Sequence, residues 1–182
     1  RSVEKRQSLG TIQVGTDTSS GLILEIKTKA IVDSLEVKQE NTLTLQSGSA
    51  ILVVTDQGDK GLVINGTLYM NNSSFIDVNE TNLTQAVVIG SDANVGLRSI
   101  NFHCAGGFDL SESATFTFYS YATLKFDGGE GERIVSLDFN SIISEGYVSK
   151  FNIEFDQDNI GTTWDIKSDL AANNITITDG IL

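Results

Sequence analysis

Apolar and polar residues alternate along most of the chain, which is the pattern of β-strands that bury one face. The clearest stretch covers residues 114–126, where apolar side chains occupy mainly the even positions and polar ones the odd positions. Three glycines interrupt the pattern within residues 127–132, and alternation resumes at Val135, Leu137 and Phe139. This arrangement predicts a long β-hairpin.

Many shorter runs repeat the same period. They lie at 22–27, 42–46, 50–55, 62–64, 67–70, 75–78, 86–89, 100–104, 150–155 and 175–178. Segments rich in Gly, Asn, Asp and Ser separate them, as expected of turns. A dozen or so short strands at this spacing predict an all-β fold, and we expect an antiparallel β-sandwich of the immunoglobulin-like or jelly-roll type.

Residues 41–89 support a second architecture, the parallel β-solenoid. Short apolar runs alternate there with corners rich in Asn, Gly and Ser. A solenoid stacks a repeated unit, so its sequence is expected to repeat at a fixed period. The segments 41–45 and 82–85 resemble each other, but nothing similar lies halfway between them. We therefore predict the sandwich and keep the solenoid as the alternative.

The charge balance narrows the choice of partners. Lys and Arg number 12 against 24 Asp and Glu, for a formal net charge of −12. Nucleic-acid phosphates and anionic membrane surfaces repel such a charge. No stretch approaches the ~20 continuous apolar residues of a membrane-spanning helix. We predict no nucleic-acid partner and no membrane insertion.

Asparagine sequons indicate an exported protein. The Asn-X-Ser/Thr pattern occurs six times, at Asn65, Asn71, Asn72, Asn79, Asn82 and Asn174. Such sites accept glycans in surface loops of secreted proteins. We therefore predict that these six residues are glycosylation sites and that the protein is extracellular or on the cell surface. Because the chain has a single cysteine, no intramolecular disulfide can form.

Residues with catalytic chemistry are scarce. The only histidine, His103, directly precedes the only cysteine, Cys104. Neighbours on a strand point to opposite faces, so the pair is not a nucleophile with its base. The chain also lacks a nucleophile elbow, a phosphate loop and a dinucleotide-binding motif. We predict that the protein is not an enzyme and binds no cofactor.

Loop carboxylates provide the only metal candidates. Asp56 and Asp59 lie in one polar segment, and Asp156 and Asp158 lie in another. Carboxylate oxygens are the ligands that calcium prefers, but neither pair has the twelve-residue spacing with a closing Glu. We predict no metal site and keep these four residues as calcium candidates.

The start of the chain has a distinct organisation. Residues 9–16 form a strand-like stretch between a basic lead and a polar linker that ends at residue 21. This stretch resembles the N-terminal extension of pilus and fibril subunits assembled by donor-strand exchange. In that family the extension completes the immunoglobulin-like sandwich of the next protomer. The resemblance implies that Leu9, Gly10, Ile12 and Val14 bind a neighbouring protomer, with Ile12 and Val14 as anchors.

Two functions follow from these observations. The chain divides into an N-terminal extension, residues 1–21, and one β-domain, residues 22–182. We predict a structural subunit of an extracellular filament, in which the N-terminal strand adds to a neighbouring copy of the same chain. The alternative is a monomeric cell-surface adhesin or a carbohydrate- or protein-binding module, for which surface glycans are the candidate partner.

Overall fold

The computed structural model describes residues 8–53, 60–79, 85–97, 101–111, 114–118, 122–128, 131–137, 151–156, 162–167 and 172–178. Within these ranges the chain forms short strands and no helix. Every pairing between the described strands is parallel, and the strands form three sheets. The chain therefore winds as a β-solenoid, visiting each sheet once in each of its first five turns.

The strands follow one another in chain order. Turn 1 contains β1 (Thr11–Val14), β2 (Ile23–Ile26) and β3 (Lys29–Val32); turn 2 contains β4 (Ser34–Val37), β5 (Thr42–Leu45) and β6 (Ala50–Val53). Turn 3 contains β7 (Leu62–Ile64), β8 (Thr67–Met70) and β9 (Phe75–Val78); turn 4 contains β10 (Val87–Ile89), β11 (Asn94–Leu97) and β12 (Asn101–Cys104). Turn 5 contains β13 (Phe108–Leu110), β14 (Thr115–Phe118) and β15 (Ala122–Phe126). Four further strands follow: β16 (Gly131–Leu137), β17 (Phe151–Phe155), β18 (Thr162–Ile166) and β19 (Asn174–Ile177).

Each sheet collects one strand from successive turns. The first sheet has the order β1-β4-β7-β10-β13-β16-β18. The second has the order β2-β5-β8-β11-β14, and the third has the order β3-β6-β9-β12-β15-β17-β19.

The predicted antiparallel sandwich, immunoglobulin-like or jelly-roll, is therefore wrong, and the solenoid alternative describes the fold. The predicted hairpin is wrong as well. β15 pairs in parallel with β12 and β17, whereas β16 pairs with β13 and β18 in a different sheet. Alternation reports which face of a strand is buried, and it is the same whether the partner strand runs parallel or antiparallel.

Inward-facing side chains stack on one another from turn to turn. In the first sheet Leu35 pairs with Leu62 and Val37 with Ile64, and all four side chains are buried. Full burial of one such side chain contributes about 1.5–3 kcal/mol. Stacked apolar residues are therefore the main source of stability in turns 2–5, and buried phenylalanines join the aliphatic residues in turns 4 and 5.

A buried asparagine organises the corner between the first and second sheets. The Asn41 side-chain nitrogen donates hydrogen bonds to the carbonyl oxygens of Ser19 (3.0 Å) and Gln39 (2.8 Å). Its side-chain oxygen accepts a hydrogen bond from the Leu22 backbone N–H (3.1 Å). One turn later the chain passes so close that a Cβ on Gly66 would lie 2.4 Å from the Asn41 carbonyl oxygen. The amide thus satisfies backbone groups that the bend leaves unpaired.

The corners also explain why no fixed sequence period exists. Paired positions are 19 residues apart between Ile23 and Thr42 but 31 apart between Val135 and Ile166. Extra residues in a corner leave the strands above and below it in register. Self-similarity along the sequence is therefore lost although the stack is regular.

Candidate functional site: the two ends of the solenoid and the outer face of the third sheet

The N-terminal edge, defined as β1, β2 and β3, has unused backbone groups, although on β3 the Leu9 backbone N–H already bonds to the Ile31 carbonyl oxygen. In the described residues each of these strands has a single neighbouring strand. The carbonyl oxygens of Leu22 and Ile26 accept hydrogen bonds from Thr42 and Gln46 of the next turn. Because successive residues of a strand direct their backbone groups to opposite sides, those of Ile23 point away from β5. The edge can therefore accept another parallel strand.

Side chains at this edge are incompletely covered. Ile12, Leu24 and Ile26 face the core but are only partly buried. Their partners one turn later are Leu35, Leu43 and Leu45, which are 0–1% exposed. A further layer of apolar side chains on top of turn 1 would complete this burial.

Of the predicted donor residues, Ile12 and Val14 belong to β1 of this edge, and Leu9 and Gly10 directly precede β1. Ile12 and Val14 pair in parallel with Leu35 and Val37 of the same chain, so their side chains cover turn 2. The Leu9 side chain is 67% exposed, and its backbone N–H donates a 2.9 Å hydrogen bond to Ile31.

Gly10 has a φ of +80°, a backbone conformation that favours glycine. A Cβ at this position would meet no atom within 4 Å. A short contact therefore does not account for this glycine. Its carbonyl oxygen accepts a hydrogen bond from the backbone N–H of Asp33 (3.0 Å), which ties the start of β1 to the following turn.

The C-terminal edge, defined as β19, also has core-facing side chains that are incompletely buried. Ile175 and Ile177 of β19 pair with Ile153 and Phe155 of β17, which are fully buried. The two isoleucines nevertheless remain 44% and 49% exposed. Both ends of the described solenoid thus present core-type side chains to solvent.

The predicted glycosylation sites occupy different environments. Asn72, Asn79 and Asn174 are exposed. Asn71 is partly buried, and its side-chain nitrogen donates a 3.4 Å hydrogen bond to Gln46. Asn65 is partly buried as well, and its side-chain oxygen lies against Gly90. Asn82 lies outside the described residues.

The calcium candidates are only partly within the structure. Asp156 is described, and its carboxylate contacts the ammonium group of Lys125. Asp56, Asp59 and Asp158 lie outside the described residues. In the described ranges no group of three or more His, Cys, Asp and Glu side chains is arranged to hold a metal ion.

A row of ionisable side chains crosses the outer face of the third sheet. Asp77, His103, Lys125 and Glu154 occupy the same register position on β9, β12, β15 and β17. The His103 Nδ1 lies 3.1 Å from the Asp127 carboxylate. The Lys125 Nζ lies 3.3 Å from Glu154. Sequence reasoning missed this row because its members are separated by unequal intervals.

Burial and neighbouring charged groups shift the pKa of two residues in this row. Burial raises the pKa of Asp77, the nearby charge of Asp127 raises it further, and His103 lowers it. The hydrogen bond to Asp156 raises the pKa of Lys125, and Glu154 adds to this while burial opposes it.

The row includes no thiol nucleophile, because Cys104 points into the core. Its thiol is buried and contacts the carbonyl oxygen of Gly106 at 3.4 Å. His103 instead faces outward and packs edge-on against the Phe75 ring, with 4.8 Å between ring centroids. A histidine–thiol pair therefore does not form, as the alternation of strand side chains requires.

Comparison with protein-family models, with curated proteins and with solved structures finds no match to the chain. A search for helices long and apolar enough to cross a membrane finds none in the described part of the chain.

Proposed function

We propose that the protein is a structural subunit of an extracellular filament, in which the N-terminal edge of one copy adds to the C-terminal edge of the next. The observation that carries the proposal is the exposure of core-facing residues at both ends. Ile12, Leu24 and Ile26 lie at one end, and Ile175 and Ile177 lie at the other. Stacking two copies end to end covers both sets.

The direction of the strands sets the form of the assembly. Parallel pairing continues when β3 of one copy lies beside β19 of the next in the third sheet, a step in which the Leu9 backbone N–H releases the Ile31 carbonyl oxygen. The two edges are different surfaces, so the contact is head to tail. A head-to-tail contact that does not close into a ring produces an open filament.

The amino-acid composition supports open ends. Natural proteins commonly protect edge strands with proline or with inward-pointing charges. This chain has no proline, and its inward positions on β1, β2 and β19 are aliphatic. The proposal thus keeps the predicted N-terminal strand addition but replaces insertion into a sandwich with edge-to-edge stacking.

Negative-stain electron microscopy and light scattering of the purified full chain test the proposal. We expect unbranched fibres that lengthen with protein concentration. Ile177→Lys introduces a charge at the C-terminal edge and is expected to reduce the assembled fraction at least tenfold. Ile23→Pro removes a backbone N–H that faces the open N-terminal edge and is expected to act similarly, with the far-ultraviolet circular dichroism unchanged.

Val88→Lys is the matched control, because it also replaces a β-branched side chain by Lys but on the outer face of an interior turn. It is expected to assemble like the unmodified chain. Particles of about 20 kDa at every concentration would refute the filament function. Equal loss of assembly in Val88→Lys and Ile177→Lys would refute the end-to-end geometry.

A further inference from the structure

The outer face of the second sheet differs from the rest of the surface. Strands β5, β8, β11 and β14 direct eight residues outward: Thr42, Thr44, Thr67, Tyr69, Asn94, Gly96, Thr115 and Thr117. None of the eight carries a charge, although 20% of the chain is charged and the net charge is −12. The edge strand β2 adds Ile23 and the charged Glu25 to the same face, beside Thr42 and Thr44. We call these eight residues the threonine face.

The threonine face is a regular array. Thr42, Thr67, Asn94 and Thr115 form one row across the strands, and the other four residues form a second. Neighbouring strands lie about 4.8 Å apart, so hydrogen-bonding side chains recur at that interval along a row. An extended polymer lying across the strands meets a hydroxyl or amide group at almost every step.

An aromatic ring lies at the centre of this array. Tyr69 belongs to β8, the middle strand of the sheet, and its side chain is 41% exposed. It is the one exposed large apolar residue in the described chain that lies away from turn 1 and β19. Gly96, its partner on β11, is buried although its position faces outward.

We propose that the threonine face binds a neutral polysaccharide. Threonine hydroxyls and the Asn94 amide exchange hydrogen bonds with sugar hydroxyls. The Tyr69 ring provides an apolar platform and a polar hydroxyl, a combination suited to the C–H face and the hydroxyl rim of a pyranose. An uncharged ligand escapes the repulsion that a strongly acidic protein exerts on anionic polymers.

The contrast with the third sheet supports the choice of ligand. On that sheet one of the two outward rows carries Asp77, His103, Lys125 and Glu154. In that row Lys125 pairs with Glu154, and His103 contacts the Asp127 carboxylate. Charged groups that are already paired have less capacity for a neutral sugar. The threonine face leaves its hydroxyls available.

The proposal does not depend on filament formation, because one subunit contains the whole array. Stacked subunits would repeat the face and raise avidity for long polymers. Binding is therefore measured on the full-length Ile177→Lys variant, which keeps the threonine face unchanged. Loss of assembly and loss of glycan binding are then separate outcomes.

Affinity electrophoresis through gels that contain a soluble neutral glucan or mannan tests binding, with polygalacturonate as the anionic comparison. We expect the neutral polymers to retard the protein and polygalacturonate to leave it unaffected. Tyr69→Ala is expected to weaken binding about tenfold, whereas Tyr69→Phe keeps most of it. Thr44→Lys should weaken binding, and the control Thr123→Lys, outward on the third sheet, should not.

Several outcomes would overturn the proposal. No retardation by any neutral polymer would exclude the ligand class. Equal weakening by Thr123→Lys would show that the threonine face is not the site. Lateral bundling of the unmodified filament that Thr44→Lys abolishes, without glycan binding, would assign the face to contacts between copies.

Discussion

Turn 1 and turn 2 of the solenoid present the same pattern of inward residues but reach different degrees of burial. Leu24 and Leu43 occupy one register position of the second sheet, yet Leu43 is fully buried and Leu24 is not. The residue type is the same, and only the presence of a turn on both sides differs. In a solenoid, burial is therefore a property of the neighbouring turns, and the ends keep unsatisfied apolar surface.

Replacing Leu43 or Leu24 by alanine measures this difference in burial, and we expect it to give the largest change in the free energy of unfolding. Leu43→Ala should lower the free energy of unfolding by about 2–5 kcal/mol, because it leaves a cavity between two turns. Leu24→Ala should cost about 1 kcal/mol, because solvent already reaches the site. Urea unfolding followed by circular dichroism compares the two.

The cost of Leu24→Ala relative to Leu43→Ala can also be compared between the monomer and the assembled filament. If end-to-end stacking covers turn 1, the cost of Leu24→Ala rises toward that of Leu43→Ala in the filament. Equal costs for the two variants already in the monomer would contradict the described difference in burial. A gap that persists unchanged in the filament would contradict stacking on turn 1.

Replacing Asn41, the buried asparagine at the corner between the first and second sheets, should give a change in stability of intermediate size. Asn41→Ala removes a buried amide that makes three hydrogen bonds to backbone groups, and should destabilise the fold by about 2 kcal/mol. Asn72→Ala alters an exposed corner residue and should stay within about 0.5 kcal/mol. Chemical denaturation at fixed pH measures both, and similar losses would argue against a special role for the buried corner.

The carboxyl group of Asp77 should make stability depend on pH. Its pKa in the folded protein is raised, so its contribution to stability is fully present below the ordinary value of 3.8 and is lost as the pH rises through the folded pKa. Asp77→Asn should therefore stabilise the protein at neutral pH and lose that advantage in acid. Thermal unfolding of both proteins from pH 3 to pH 7 checks the sign, and a constant difference would contradict it.

The ammonium group of Lys125 should have the smallest effect on stability, and its effect should change at alkaline pH, whereas that of Asp77 changes at acidic pH. Its pKa is raised by Asp156 and Glu154, so its stabilisation is present below 10.5 and is lost as the pH rises through the folded pKa. Because the pair is near the surface, Lys125→Gln should cost below about 1 kcal/mol at neutral pH. The difference from the unmodified protein should vanish only in strong alkali.

The alternation of residues anticipated the faces of the strands well. It placed Leu124 and Phe126 in the core, and both are buried. It also separated Cys104 from His103, which lie on opposite sides of β12. These inferences succeed because side-chain direction is a local property of an extended chain.

The alternation of residues does not indicate which strands pair with each other. The segment from β14 to β16 reads as a hairpin because its strands are neighbours in sequence and are joined by a glycine-rich segment. In the fold β15 pairs with β12 and β17, and these contacts span unequal numbers of residues. The row of ionisable side chains on the third sheet was missed for the same reason, since Asp77 and His103 become neighbours only when two turns stack.

The sequence alone thus determined an all-β chain, the face that each well-patterned strand buries, and an acidic surface poor in catalytic groups, because all of these follow from residue type and a period of two. Only the tertiary structure decided that the strands run parallel, that Asn41 closes a corner and that core-facing side chains are exposed at both ends of the described solenoid. Those features depend on which turn lies above which, and corners of variable length erase that information from the linear pattern.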